Sequence, residues 1–153
     1  MESLHARTRI LWIVSGLVWG IVVALVLAGV DRWVRDVSPT ILGVAFVLVS
    51  LVGAIYGARR YRVWQFELQD DSLYLERGVI TFVETAVPFV RVQHVDTQFG
   101  PLERALGLSS VVVYTAGSRN ADVRVPGLRP ERARKLQDTL RELAVESATE
   151  DAV

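Results

Sequence analysis

Two stretches near the start of the chain are apolar on every side, and the rest alternates. Residues 10–30 are 21 consecutive uncharged residues; a helix of that length rises about 30 Å, the thickness of a bilayer's hydrocarbon core. After a polar link at 31–38, Pro39 suits a first helical turn, and residues 40–58 form a second uncharged run. So short a link returns the second helix antiparallel to the first, which predicts a membrane α-helical hairpin of two transmembrane helices. A cleavable signal peptide competes for the first stretch. Its apolar core is usually shorter and ends in small residues, whereas this one ends in Asp31-Arg32-Trp33.

The hairpin has a pattern of its own. Gly16, Gly20, Ala24 and Ala28 recur every four residues, and the second run carries Gly53 and Gly57 beside Ser50, Ala54 and Ala58. Lipid supplies no hydrophobic drive for helix pairing, so small residues that let backbones approach are the expected contact. In an antiparallel pair the Gly16/Gly20 end meets the Gly53/Gly57 end. The same ridge could serve a homo-oligomer, and Gly and Ala are in any case common in membrane helices. Trp12, Trp33, Tyr56, Tyr61 and Trp64 fall where an interfacial aromatic belt belongs.

Beyond Ala58 the apolar period becomes two, the signature of half-buried strands. Trp64, Phe66 and Leu68 alternate with polar residues, Asp70-Asp71-Ser72 is a turn, and Leu73 and Leu75 begin a second strand that stops at Gly78. Residues 80–88 predict a third. Residues 90–99 predict a fourth with a fault in its phase: Val90 and Val92 are even, Val95 and Phe99 odd, so a bulge belongs near Gln93-His94. Gly100-Pro101 breaks that strand, a short helical segment runs to Gly107, and residues 108–116 and 122–126 predict two more strands around a turn at 117–120. From Pro130 the period lengthens: Ala133, Leu136, Leu140, Leu143 and Ala144 form one stripe opposite Arg134, Lys135, Asp138 and Arg141, an amphipathic helix that must cover the sheet.

Charge sets orientation and excludes partners. Arg7 and Arg9 precede the first span and Arg59, Arg60 and Arg62 follow the second, while Arg32 and Arg35 in the link are offset by Asp31 and Asp36. The positive-inside rule then puts both termini in the cytoplasm. Past Ala58 the chain has 13 basic and 14 acidic residues, without the basic surplus a phosphate-backbone binder needs, so nucleic acid is not an expected partner. Cysteine is absent, which removes disulfides, thiolate metal sites and thiol nucleophiles together.

Motifs that carry chemistry are few. The histidines are His5 and His94, too few for a histidine metal site, and neither a Gly-x-Ser-x-Gly elbow nor a phosphate-cradling P-loop occurs. His94 and Asp96 lie two apart on a strand and so share a face; they suit either a catalytic dyad or a bulge whose polar groups satisfy one another. Arg91, Glu103 and Arg104 could line a binding face or pin the 100–107 loop to the strand. Neither catalysis nor a cofactor or metal is expected.

Several strands and one capping helix are the element order of a pleckstrin-homology (PH) domain. The run Val90-Arg91-Val92-Gln93-His94-Val95-Asp96, then Gly100-Pro101-Leu102-Glu103-Arg104-Ala105-Leu106-Gly107-Leu108, Thr115-Ala116-Gly117 and Val125-Pro126-Gly127-Leu128, resembles the membrane-flanked bacterial PH-domain family of the YdbS-like type. Phe99 departs from it, since a polar residue is expected before the Gly-Pro pair. The resemblance implies a mostly-β PH-like sandwich with a C-terminal α-helix, attachment to the bacterial inner membrane and no known catalysis. It singles out Arg91, Gln93, His94, Asp96, Gly100, Pro101, Glu103, Arg104 and Gly107 as the candidate binding or structural motif.

The expected plan is a cytoplasmic tail (1–9), two spans (10–30 and 39–58) around an extracytoplasmic loop (31–38), a cytoplasmic PH-like domain (59–146) and a disordered tail (147–153). The expected partners are the lipid bilayer and other membrane proteins or further copies of the chain. The expected role is a non-catalytic, membrane-anchored interaction or assembly module. A rival is lipid-headgroup sensing, or an accessory part in lipid or small-molecule export, through a basic pocket of Arg91, Arg104, Arg119 and Arg124.

Overall fold

The computed structural model describes residues 1–31, 38–117 and 122–150. The predicted link at 31–38, apart from its ends, most of the predicted turn at 117–120 and the last three residues fall outside them. The chain divides into two units: Arg9–Arg62 is one, and Met1–Thr8 with Val63–Val153 is the other.

Helices α1 (Ala6–Asp31) and α2 (Pro39–Val63) are both long and apolar enough to cross a membrane. They meet through backbone. A Cβ on Gly16 would lie 2.5 Å from the carbonyl carbon of Gly53, one on Gly53 2.6 Å from Gly16 Cα, and one on Gly57 2.6 Å from the Trp12 carbonyl oxygen. No side chain fits at such separations, so these positions require glycine. At Gly20 the space is taken by the Ser50 hydroxyl, and Ala24, one turn further along, is half-buried. Large apolar side chains dominate the exposed surface of both runs, with Leu25 and Val52 both about two-thirds exposed.

The other unit is an antiparallel sandwich. β1 (Glu2–Ser3), β2 (Gln65–Leu68), β3 (Ser72–Arg77) and β4 (Val83–Pro88) make one sheet in that order. β5 (Val92–Gln98), β6 (Ser109–Thr115) and β7 (Val123–Leu128) make the other. Between β5 and β6 lies the short helix α3 (Pro101–Ala105), and α4 (Pro130–Glu150) closes the unit. Phe66, Leu73 and Leu75 from the first sheet, Val95, Val111, Val113 and Val125 from the second, and Ala133, Leu136 and Leu140 from α4 are almost wholly buried. Burying each of the large side chains contributes about 1.5–3 kcal/mol.

Several boundaries differ from the sequence expectation: α2 runs on to Val63, so residues 59–62, expected in the domain, belong to the helical unit. Residues 1–9, read as a tail, belong through Thr8 to the sandwich: Glu2 pairs with Phe66 and Ser3 with Gln65, Leu4 and Thr8 are buried, and the His5 amide donates to the Gly127 carbonyl at 3.0 Å. The third strand begins at Val83, because Gly78 at φ +105° folds residues 78–82 into a loop. Residues 89–91 form a 3-10 turn ahead of β5. Finally, α4 continues through Ser147 to Glu150, where a disordered tail is expected, with Ser147 and Thr149 hydroxyls donating to the Leu143 and Val145 carbonyls. Trp64 is also reassigned: it packs edge-to-face on Phe66, 6.3 Å between centroids, as sandwich core rather than interfacial belt.

Candidate functional site

The phase fault in β5 is a bulge. Val92 pairs with Thr115 and His94 with Tyr114, leaving Gln93 as the extra residue. Past the bulge, His94 and Asp96 share a face as their spacing requires. His94 Nε2 lies 2.6 Å from Asp96 Oδ1, and its ring is tilted over Tyr114 at 5.9 Å. His94 remains well exposed, and the pair is chiefly a way of satisfying two polar side chains at a bulge.

β5 lies at the border of its sheet, and an unpaired strand edge has to be covered or it recruits other chains. Helix α4 covers part of it with side chains. Gln137 donates its amide to the Val95 carbonyl at 2.6 Å and accepts from the Thr97 hydroxyl at 2.9 Å, while Arg141 reaches the same Val95 carbonyl at 3.4 Å. Beyond Arg141 this cover ends. The bulge and the last turns of α4 then enclose a groove of about 650 Å³, walled by Gln93 and His94 on one side and by Ala144, Val145 and Ala148 on the other. Val145 stands two-thirds exposed on its rim. An apolar wall facing a few polar side chains is the usual make-up of a binding cleft.

The rest of the motif does something else. Glu103 accepts from the Gly100 amide at 2.9 Å, capping α3 from within, and both its oxygens lie 3.4 Å from Arg124, whose Nε donates to Ser110 at 3.0 Å. Pro101 supplies the first helical position, and Gly107, at φ +66°, turns the chain out of α3 into β6. Gly100 has an ordinary extended backbone. The pinning of this loop therefore runs through Glu103 to Arg124 on β7, and the Leu106 carbonyl is held by Arg7 at 3.1 Å. Arg91 stands exposed in the turn ahead of β5, and Arg104 stands exposed on α3, beyond the strand's other end. Of the other arginines named for a basic pocket, Arg124 is engaged by Glu103 and Ser110, and Arg119 lies outside the described residues.

Sequence reasoning thus brings Gln93 and His94 to the groove and Asp96 beside it, but it leaves out Arg141, Val145 and Ala148. Their signal was the apolar run of α4 outlasting the core: Ala133, Leu136 and Leu140 are buried, yet Ala144, Val145 and Ala148 follow. Among the described residues, no cluster of His, Cys, Asp and Glu could hold a metal ion.

Comparison with known proteins agrees with this architecture. The profile of the family described as Bacterial PH domain matches residues 8–144. The chain is similar to the UPF0699 transmembrane protein YdbS of Bacillus subtilis (strain 168), at 34% identity over 134 residues that cover 86% of this chain and 82% of that protein. No solved structure matches significantly.

Proposed function

This chain belongs to the bacterial PH-domain family, and from that premise we propose that it is a non-catalytic interaction module anchored in the bacterial inner membrane. Its docking site for other membrane proteins is the groove between the bulged edge of β5 and the end of α4. The observation that carries the reading is the place where α4 stops protecting its neighbouring strand: Gln137 and Arg141 cover Val95, and the next stretch of edge faces an open, apolar-walled cleft. A strand border left open in this way suits an extended partner segment with apolar side chains. Tethering adds to it, because a domain fixed to a membrane meets other proteins of that membrane at a raised effective concentration.

The N-terminal strand supports the orientation. β1 precedes α1 and pairs with β2, which follows α2, so both ends of the helical unit return to one sheet. Two helices that cross a bilayer between them must leave and re-enter on the same side, and by the positive-inside rule the arginines flanking them favour the cytoplasm as that side.

A photocrosslinking residue in place of Gln93, in the full chain in its native membrane, tests the site. Adducts with other membrane proteins are expected at position 93, absent when the probe replaces Asp70 on the β2–β3 turn, and lost on adding Val145→Glu. Equal adducts at 70 and 93, or adducts indifferent to Val145→Glu, would overturn the assignment.

A further inference from the structure

The loop between β3 and β4 breaks the usual rule for exposed turns. Residues 78–82 read Gly-Val-Ile-Thr-Phe. Ile80 is 89% exposed, Phe82 is 53% exposed, and Val83, which begins β4, is 39% exposed. The shape is imposed rather than loose, because Gly78 sits at φ +105° with the Thr81 carbonyl where its Cβ would be. Adjacent exposed apolar side chains of this size mark a contact surface.

Strand register says which end of the sandwich the loop occupies. Gln65 pairs with Glu76 and Arg77 with Val83, so the loop leaves the sheet at the end where β2 begins, a strand spacing of about 5 Å from Trp64. Ser3 pairs with Gln65, so β1 runs out toward α1 at that same end. Val63, through which the chain enters this unit, and Ser3, from which β1 leaves toward α1, are thus on the loop's side, and the Gln69–Asp71 turn is at the far end. From the last residue of the second uncharged run, Ala58, to Arg62 is four helical steps, a rise of about 6 Å. The polar layer of a bilayer is about 5–8 Å thick on each side. The sandwich thus begins only a few residues of chain from that layer, and the loop leaves the sheet at the end where its chain enters.

We propose that the β3–β4 loop is a membrane-dipping anchor: Ile80 and Phe82 insert among the lipids at the boundary between headgroups and acyl chains. This gives the tethered domain a second, noncovalent hold on the bilayer. The contact is apolar, not electrostatic. Arg77 at the base of the loop is matched by Glu76 and Glu84, paired across β3 and β4 on the same outer face as Tyr74, whose hydroxyl is held above the usual tyrosine range by desolvation and these two carboxylates. Such a face has no attraction for anionic lipid.

The chain lacks cysteine, so single labels are clean. Ile80→Cys and, as the far-end control, Asp70→Cys are labelled with an environment-sensitive fluorophore in the full-length protein, one copy per lipid nanodisc. Ile80 is too exposed for its replacement to disturb the core. Lipids brominated high on the acyl chain are expected to remove most of the emission at 80 and little at 70, with iodide in solution doing the reverse, and added salt leaving both unchanged. Three results would overturn the proposal: iodide quenching at 80 as strong as at 70; a label shielded from both quenchers, which indicates burial against protein; or lipid quenching abolished by salt, which indicates headgroup electrostatics.

Discussion

In the helical unit the atoms that touch are the backbones of Gly16 and Gly53; in the sandwich they are the side chains of Leu75, Val113 and Leu136, each with no exposed surface at all. Both regions contain many large apolar residues, yet they use them in opposite senses. In the hairpin the large side chains point outward and the small ones make the contact, because lipid solvates a leucine as well as another helix does. In the sandwich water drives the large side chains inward, and packing follows volume. The same substitution should therefore have opposite weight in the two units.

Leu136→Ala is expected to have the largest effect, destabilising the sandwich by about 2–5 kcal/mol, whereas Leu51→Ala on the exposed face of α2 should leave stability nearly unchanged. Denaturant titration of the full-length protein in one detergent, with tryptophan emission as the readout, compares them directly. An equal loss from both would mean that the hairpin is packed like a soluble core.

Glycines reverse the ranking of the units. Gly53→Ala places a methyl against Gly16 and should cost about 1–3 kcal/mol of helix pairing, while Gly43→Ala, with open space around it, should be neutral or slightly favourable. A thermal scan of α-helical ellipticity in detergent would show both.

Within the sandwich, Glu103→Ala removes the acceptor for the Gly100 amide and frees Arg124, and should cost about 1 kcal/mol. Arg91→Ala, at the other end of β5, should cost little. Denaturation midpoints of the two variants give the comparison.

The smallest effect expected is a pH dependence. His5 is held below the usual histidine range by desolvation and by the nearby Arg129 and Arg7 charges. A histidine harder to protonate in the fold than in the unfolded chain adds stability that is present above its unfolded value, about 6.5, and is lost as pH falls through the lower folded value. Melting temperature should thus drop slightly between about pH 7 and 5, and the drop should shrink in His5→Gln. The ion pair of Arg132 with Glu2, which holds β1 to α4, raises the guanidinium pKa above its ordinary range.

The elements legible in the sequence were those whose signal is local. Unbroken apolar length produced the two helices, a period of two produced the strands, and a single slip of that period between Val92 and Val95 located the bulge with no knowledge of β6. Glycine spacing anticipated the backbone contact of α1 with α2, since a four-residue repeat defines a helix face by itself.

Partner choice was not legible. Glu103 is ringed in sequence by Arg91 and Arg104 but reaches Arg124, which is brought to it only by the pairing of β7 with β6. Residues 1–8 contain too short a run to show any period, and they become structure only because β2 presents an open edge to Glu2 and Ser3 and Gly127 leaves room for the Thr8 hydroxyl. The groove at Gln93 belongs to neither β5 nor α4 alone. Periodicity is written in the solvent preference of each residue and survives without a fold. Which edges, charges and cavities face one another depends on contacts distant along the chain, and only the folded sandwich decides those.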